Sequence, residues 1–308
     1  MPPHVPPLTP HPSPLTPHPS PLTDMHSTLV STEELAQHLG DPNWIVFDCR
    51  FTLTDPEAGR RAYLHGHIPG ARYAHLDDDL SSPITPTSGR HPLPSPQLLS
   101  EKLGLWGVDN TKQVVVYDDS FGSMAVRMWW LLRWQGHDAV ALLDGGLPMW
   151  MRQKLPVTAD LPEIVPAQFV PRPQNSMWAD VTEVDQARQD PNRVIIDARP
   201  EDRFSGKREP LDKVAGHIPG AINWTFEENI DFDGTYLPAE ELRTAYLDLL
   251  HGIPPEQAIH SCGSGVTACH NILAMEIAGL PGGKLYPGSW SEWITDPSRP
   301  VEVGTAGE

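Results

Sequence analysis

Three shortages limit what this 308-residue chain can be: it has little cysteine, little positive charge and no long apolar run. Its 3 cysteines are odd in number and widely spaced, which makes a poor disulfide framework. No apolar run approaches the ~18 residues that a membrane span needs. The proline-rich N-terminus also lacks the basic and then apolar pattern of a signal peptide. We therefore expect a protein of the reducing cytoplasm without a membrane partner.

The charge balance excludes a second class of partners. There are 22 Lys and Arg against 40 Asp and Glu, a formal net charge of -18. Nucleic acids and acidic membrane surfaces repel such a chain, so we expect neither as a partner. An anionic substrate would need a local cluster of Arg or Lys.

An internal repeat organises the sequence. The tripeptide Asp-x-Arg at 48–50 recurs at 197–199, and the hexapeptide Gly-His-Ile-Pro-Gly-Ala at 66–71 recurs at 216–221. The two offsets agree within one residue, which indicates two tandem copies of one unit.

The repeat divides the chain into four parts. Residues 1–25 repeat Pro-Leu-Thr-Pro-His-Pro-Ser with a period of seven and are predicted to be a disordered tail. Residues 27–152 and 175–303 are each predicted to form one domain. Residues 153–174 contain five prolines and are predicted to be an extended linker.

Short apolar strands alternate with helical segments in each copy. This alternation predicts α/β domains, each with a parallel sheet that helices cover on both faces. The stretch between the first strand and Gly66 is predicted to be a loop. Ligands of such sheets bind beyond the carboxyl ends of the strands. One strand of the second copy runs into Cys262, whereas its counterpart in the first copy ends at Asp118, so we expect the second copy to supply the nucleophile.

Cys262 is the candidate nucleophile. It follows a strand, lies in a turn with two glycines and precedes a helical pattern at 267–278. Free N–H groups and the positive end of the helix dipole favour a thiolate at such a place. Cys49 is interpreted as a buried structural thiol. Cys269 is interpreted as packed within the helix, with a redox partnership to Cys262 as the alternative.

Other chemistries fit the same segment less well. The possible metal ligands His260, Cys262, Cys269 and His270 match no zinc spacing, so no metal is expected. The glycine pattern after Cys262 resembles a dinucleotide fingerprint, but the next strand does not end in the required acidic residue, so no cofactor is expected. A cysteine phosphatase needs an arginine six residues after the cysteine, where this chain has Ala268.

The repeated motifs, the loop Cys-Gly-Ser-Gly-Val-Thr-Ala-Cys at 262–269 and the closing Pro-Gly-Ser-Trp-Ser-Glu-Trp at 287–293 resemble the rhodanese superfamily of sulfurtransferases in its two-domain form. The resemblance implies two tandem rhodanese-like domains, with a persulfide that forms on Cys262 in the second. Thiosulfate-using members carry basic residues after the cysteine. The uncharged loop of this chain is instead similar to that of the 3-mercaptopyruvate sulfurtransferases.

The resemblance also implies roles for individual residues. The N–H groups of Gly263, Gly265, Val266 and Thr267 would cradle the persulfide. Ser264 would hydrogen-bond the substrate carbonyl or relay a proton.

His67, in the first Gly-His-Ile-Pro-Gly-Ala, resembles the histidine that orients this serine, with Asp55 as a possible partner. A loop-packing role, as expected for His217 in the second copy, is the alternative. Arg203 matches one arginine that binds the substrate carboxylate, and Arg208 is the nearest stand-in for the second. Arg199 is interpreted as a structural partner of Asp197.

The expected reaction moves a sulfane sulfur from 3-mercaptopyruvate to cyanide or to a thiol such as thioredoxin or glutathione. A thiosulfate:cyanide sulfurtransferase remains an alternative. A non-catalytic persulfide carrier or binding module is an alternative of another class.

Overall fold

The computed structural model describes residues 25–304. The first half forms a parallel five-stranded sheet in the order β1-β5-β4-β2-β3. Its strands are β1 (Leu29–Val30), β2 (Trp44–Asp48), β3 (Arg72–Tyr73), β4 (Gln113–Tyr117) and β5 (Val140–Leu143), and its helices are α1 (Thr32–Gln37), α2 (Ala58–His65), α3 (Pro96–Leu105), α4 (Ala125–Trp134) and α5 (Gly146–Arg152). The predicted tail at 1–25 lies outside the described residues, apart from Met25.

The second half repeats this plan with a parallel four-stranded sheet in the order β7-β6-β8-β9. Its strands are β6 (Val194–Asp197), β7 (Ile222–Asn223), β8 (Ala258–Ser261) and β9 (Lys284–Leu285), and its helices are α6 (Val181–Ala187), α7 (Glu201–Phe204), α8 (Ala239–Leu250), α9 (Ala268–Ile277) and α10 (Ser289–Trp293). The predicted fold class of two tandem α/β domains, each with a parallel sheet, is confirmed. The division into residues 27–152, 153–174 and 175–303 stays a prediction.

Both faces of each sheet are covered, because the strands carry apolar side chains on both sides. In β4, Val114 and Val116 belong to one apolar cluster, while Val115 and Tyr117 belong to another. Continuous apolar strands of this kind are typical of parallel sheets between two helix layers. None of the helices in residues 25–304 is long and apolar enough to cross a membrane.

One apolar cluster continues from the first half into the second. It contains Trp129 and Trp130 of α4 together with Leu273 and Met275 of α9. The two helices pack against each other. The two halves therefore share a core where α4 and α9 meet.

The repeated Asp-x-Arg motif is a structural clamp in both copies. Arg50 pairs with Asp48 at the end of β2, and its guanidinium donates to the carbonyl oxygen of Gly66 at 2.7 Å. Arg199 pairs with Asp197 in the same way and donates to Gly216 at 2.8 Å. Each arginine thus ties a strand end to the first glycine of the following hexapeptide.

The prediction of a loop between β2 and Gly66 is wrong, because α2 (Ala58–His65) lies there. This helix buries only Gly59 and Tyr63, so its sequence carries a weak apolar periodicity. Gly59 packs so closely against the carbonyl of Arg50 that a side chain would not fit.

Candidate active site

Cys262 is the first residue after β8, and its side chain is buried, with 2% of the residue exposed. The N–H group of Gly265 donates to its sulfur at 3.2 Å. Gly265 has a φ of 75°, a conformation that glycine adopts without strain, and a side chain there would collide with Pro287. The turn therefore bends back over the sulfur and points one of the predicted cradle N–H groups, that of Gly265, toward it.

The closing Pro-Gly-Ser-Trp-Ser-Glu-Trp segment fixes the other side of this turn. The Ser289 hydroxyl accepts the N–H of Cys262 at 3.0 Å and donates to the carbonyl of Tyr286 at 2.8 Å. Trp290 N–H donates to the carbonyl of Cys262 at 3.0 Å. Ser289 has a positive φ of 50°, which indicates local strain at the site.

The first copy has a turn at the equivalent strand end, with an anion built in. Asp118 follows β4 as Cys262 follows β8. Its carboxylate accepts four backbone N–H groups, each at 2.8 Å, from Ser120, Gly122, Met124 and Ala125. The turn after the strand is thus an anion cradle, which Asp118 fills permanently and which Cys262 leaves for a reacting sulfur.

A cavity of about 150 Å³ opens onto Cys262 between the two domains. Apolar side chains of the first domain (Leu53, Leu76 and Met124) and Phe226 of the second form one part of its wall. Its polar wall contains Arg90, His91, Arg199, Arg203 and Ser264. The site therefore accepts a small polar molecule beside the sulfur.

Ser264 lies in a serine–histidine–aspartate chain that crosses the domain interface. Its hydroxyl oxygen lies 2.7 Å from Nδ1 of His91, and Nε2 of His91 lies 3.2 Å from a carboxylate oxygen of Asp77. The hydrogen bond from His91 lowers the pKa of Asp77. Burial lowers the pKa of His91 below 6.5, although Asp77 opposes this shift. His91 is thus held neutral near pH 7, with Nε2–H toward Asp77 and Nδ1 free to accept the serine proton.

The expectation that His67 orients Ser264 is wrong in this structure. His67 is fully buried, stacks on Tyr63 at 4.0 Å, and its Nδ1 lies 2.8 Å from the Tyr63 carbonyl oxygen. His217 in the second copy stacks on Phe204 at 3.7 Å and bonds its carbonyl oxygen at 2.8 Å. The same geometry in both copies indicates a packing role for both histidines.

Asp55, expected beside His67, instead forms an ion pair with Arg61 at the surface. His91 takes the place that was expected for His67. It lies in the proline-rich loop between β3 and α3.

Two arginines border the amide of Gly263 next to the sulfur. A side chain built at Gly263 would lie 2.7 Å from Nη2 of Arg90 and 3.6 Å from Nη1 of Arg203. Arg203 therefore lies beside the reactive loop, as the sequence predicts. Arg208 does not lie there, because its side chain is 73% exposed and lies 3.7 Å from Asp202. Arg90, adjacent to His91 in the first domain, is the second arginine beside Gly263.

The arginines are balanced by carboxylates of the second domain. Arg203 pairs with Glu209 at 2.9 Å and with Asp212 at 3.1 Å, and Arg90 also pairs with Asp212. Burial raises the pKa of Asp212 against the pull of these cations. A substrate carboxylate would compete with these two acidic side chains for the arginines.

The other two cysteines are buried thiols. Cys269, in α9, is fully buried, and burial raises the pKa of its thiol to about 12. Its sulfur lies 3.5 Å from the carbonyl oxygen of Gly265. Burial also raises the pKa of Cys49, whose sulfur lies 3.8 Å from that of Met128. Both remain protonated thiols near neutral pH.

Comparison with known proteins agrees with this geometry. The rhodanese-like domain family matches residues 31–153 and again residues 180–296. The chain is 47% identical over 278 residues to a probable 3-mercaptopyruvate sulfurtransferase of Pseudomonas aeruginosa, covering 90% of this chain and 98% of that protein. It is 39% identical over 289 residues to a putative thiosulfate sulfurtransferase of Mycobacterium tuberculosis, with the same coverage. The crystal structure of the 3-mercaptopyruvate sulfotransferase SseA from Escherichia coli matches with a TM-score of 0.75 at 34% identity, covering 86% of this chain and 99% of that one.

Proposed function

The chain belongs to the rhodanese family of sulfurtransferases, and on that premise we propose that it takes a sulfane sulfur from 3-mercaptopyruvate and passes it to a thiol or to cyanide through a persulfide on Cys262. The observation that carries this proposal is the buried Cys262 sulfur in a backbone cradle, 2 residues before a serine that bonds a neutral histidine. We assign the chemistry to residues 175–303, with residues 27–152 lending side chains across the cavity.

In the first half-reaction the Cys262 thiolate attacks the sulfur of 3-mercaptopyruvate. A sulfur–sulfur bond forms, the carbon–sulfur bond breaks, and pyruvate leaves as its enolate. The thiol proton of the substrate ends on the enolate carbon, so that pyruvate and an anionic persulfide result. We assign the Ser264 hydroxyl, backed by His91 and Asp77, one of two roles: it donates to the carbonyl oxygen or it relays this proton.

In the second half-reaction an acceptor thiolate or cyanide attacks the outer sulfur and releases the Cys262 thiolate. Because the sulfur is buried, with the cavity as its opening, the acceptor has to be small or has to present a protruding thiol, as glutathione and thioredoxin do. We place the reaction in the cytoplasm because all three cysteines are free thiols.

Substrate recognition rests on charge around an uncharged loop. The residues from Gly263 to Thr267 carry no cation, so they offer the transferred sulfur N–H groups and the hydroxyls of Ser264 and Thr267 but no positive charge. We propose that Arg90 and Arg203 bind the carboxylate of the donor at the Gly263 end of the cavity. Arg208 does not bind the carboxylate in this proposal, because its guanidinium faces solvent.

The test is intact-mass analysis of the pure protein after incubation with 3-mercaptopyruvate and removal of excess donor. We expect a gain of one sulfur atom that Cys262→Ser abolishes. Cys269→Ser, which changes the neighbouring buried thiol of the same loop and helix, is the matched control and should keep the gain. A protein that gains no sulfur from 3-mercaptopyruvate or thiosulfate is instead a binding module.

Thiosulfate is the second candidate donor, and the three arginines that line the cavity favour it. Arg90, Arg199 and Arg203 present positive charge to a dianion even though the loop itself has none. The carboxylates of Glu209 and Asp212 offset that charge, which favours the monoanionic donor. The ratio of kcat/KM for the two donors decides the question, and we expect it to favour 3-mercaptopyruvate.

A further inference from the structure

A buried arginine of the first domain reaches the reactive loop of the second. Arg127 lies in α4 and is completely buried. Its Nη1 donates to the carbonyl oxygen of Gly265 at 3.0 Å, and its Nη2 donates to the carbonyl oxygen of His91 at 3.0 Å. One guanidinium thus holds the turn that cradles the sulfur and the histidine that bonds Ser264.

Arg127 forms no ion pair with a carboxylate in the part of the chain from 25 to 304, and its Nε–H has no hydrogen-bond acceptor there. A fully buried guanidinium without a counterion is expensive, since burial strips its hydration and neutral carbonyls return only part of that energy. Burial accordingly lowers the pKa of Arg127, and the sulfurs of Cys269 and Cys262 oppose that shift.

The anion that this cation lacks forms during the reaction. The loop after Cys262 contains no cationic side chain, yet the proposed cycle passes through a Cys262 thiolate and an anionic persulfide. We propose that Arg127 is a positioning residue that locks the Gly265 turn to His91 and acts as the counterion of the negative sulfur on Cys262. The part of this role that concerns the persulfide rests on the proposed function. The part that concerns the thiolate can be tested without any sulfur donor.

The other charged groups around Cys262 do not replace it. Arg199 lines the same cavity as Cys262, but it pairs with Asp197 at 2.8 Å and faces Glu209 at 3.6 Å. Arg90 and Arg203 border Gly263 and pair with carboxylates, as described above. On the side of α9 the neighbour is Cys269, a protonated thiol near neutral pH. His91 faces Ser264 and is neutral near pH 7.

The decisive measurement is the rate of Cys262 alkylation by iodoacetamide as a function of pH, followed by mass spectrometry. It needs no sulfur donor, so its result is independent of whether the proposed function holds. In Arg127→Met we expect the pH midpoint of alkylation to rise by about one unit, because an opposite charge close to a thiolate favours it by about that much. Alkylation below the midpoint then slows roughly tenfold.

Arg133→Met is the matched control. Arg133 lies on the same helix and also reaches the second domain, but it faces the carboxylate of Glu276 at 3.6 Å. We expect the alkylation profile of Arg133→Met to match that of the unmodified chain. An unchanged midpoint in Arg127→Met, with circular dichroism showing a folded protein, would overturn the proposal and leave Arg127 as packing alone.

Arg127→Lys separates charge from geometry and also serves if Arg127→Met does not fold. Lysine keeps the charge but cannot span two carbonyls as the planar guanidinium does. We expect its alkylation midpoint to stay near that of the unmodified chain while kcat with 3-mercaptopyruvate falls. A lysine variant with a midpoint as high as that of Met, or with undiminished kcat, contradicts the two-part role.

Discussion

Replacing Asp118 by Asn should destabilise the first domain although the two side chains have nearly the same shape. The carboxylate of Asp118 is fully buried and accepts four backbone N–H groups at 2.8 Å, two on each oxygen. Asparagine keeps one carbonyl oxygen and so retains two of these bonds. Its amide group would face the other two N–H groups, which would remain buried without an acceptor.

Each unsatisfied buried donor costs about 1–3 kcal/mol, and each bond to a charged acceptor is stronger than its neutral counterpart. Two lost acceptors therefore predict a loss of about 3–5 kcal/mol in the free energy of unfolding. That is a large share of the ~5–15 kcal/mol by which an ordinary domain is stable. Four tryptophans in α4 and α5 provide a fluorescence signal for urea unfolding of this domain.

Asp119→Asn is the control. It makes the same chemical change one residue away, at an aspartate that is exposed. We expect it to unfold within about 0.5 kcal/mol of the unmodified chain, as surface substitutions generally do. If the two variants had the same free energy of unfolding, the four N–H bonds to Asp118 would contribute little to the stability of the domain. The interpretation of this turn as an anion cradle would then fail for Cys262 as well.

Three further predictions follow from the site. His91→Asn should lower kcat/KM with 3-mercaptopyruvate about 10²- to 10⁴-fold. His67→Asn should instead lower the melting temperature and leave the kcat of the folded enzyme near normal. Equal kinetic losses in both variants would restore a role for His67 in the reaction. Arg203→Met should raise KM about 10- to 100-fold with a smaller change in kcat, because it removes a charge-assisted contact to the carboxylate; an unchanged KM would place carboxylate binding elsewhere. Burial lowers the pKa of His260 and His270 to about 3, so only the unfolded chain gains these protons as the pH falls below 6.5, and stability should drop by about 1.4 kcal/mol per pH unit for each histidine. His260→Leu should remove one histidine's share of this slope in urea titrations between pH 7.5 and 5, and an unchanged slope would show that His260 takes up no proton on unfolding.

The sequence was sufficient to locate the candidate nucleophile because the relevant signals are local. A strand, a glycine turn and a helix start within twelve residues predict where Cys262 lies and which way its turn folds. The repeat likewise predicted two domains of one fold. It also showed that Asp118 replaces the cysteine in the first copy.

The groups that come from across the interface were harder to find. His91 and Arg90 lie in a proline-rich loop, and nothing in their spacing shows that the loop folds over Ser264. The repeat did contain a usable signal. His67 and His217 occur in both copies, which favours a shared structural role, whereas the loop that carries His91 has no histidine in its counterpart between β7 and α8. A residue that serves one active site is expected to break the repeat.

The short elements were missed for an energetic reason. The two-residue strands β1, β3 and β7 have too few side chains to show any alternation, and they form because a longer strand is already present to pair with. The helix α2 is half exposed and contains little apolar material. Tertiary pairing rather than local propensity determines all four.

The two copies solve one electrostatic problem in opposite ways. A strand end that turns into a helix collects N–H groups, and such a cradle is most stable with an anion inside it. In the first copy Asp118 supplies that anion permanently, and the domain gains stability but has no room for chemistry. In the second copy the Cys262 sulfur stands in the place of that carboxylate, so the turn can favour the negatively charged stages of the proposed cycle. A turn without a built-in carboxylate can favour negatively charged intermediates, and this difference between the copies supports the assignment of the chemistry to Cys262.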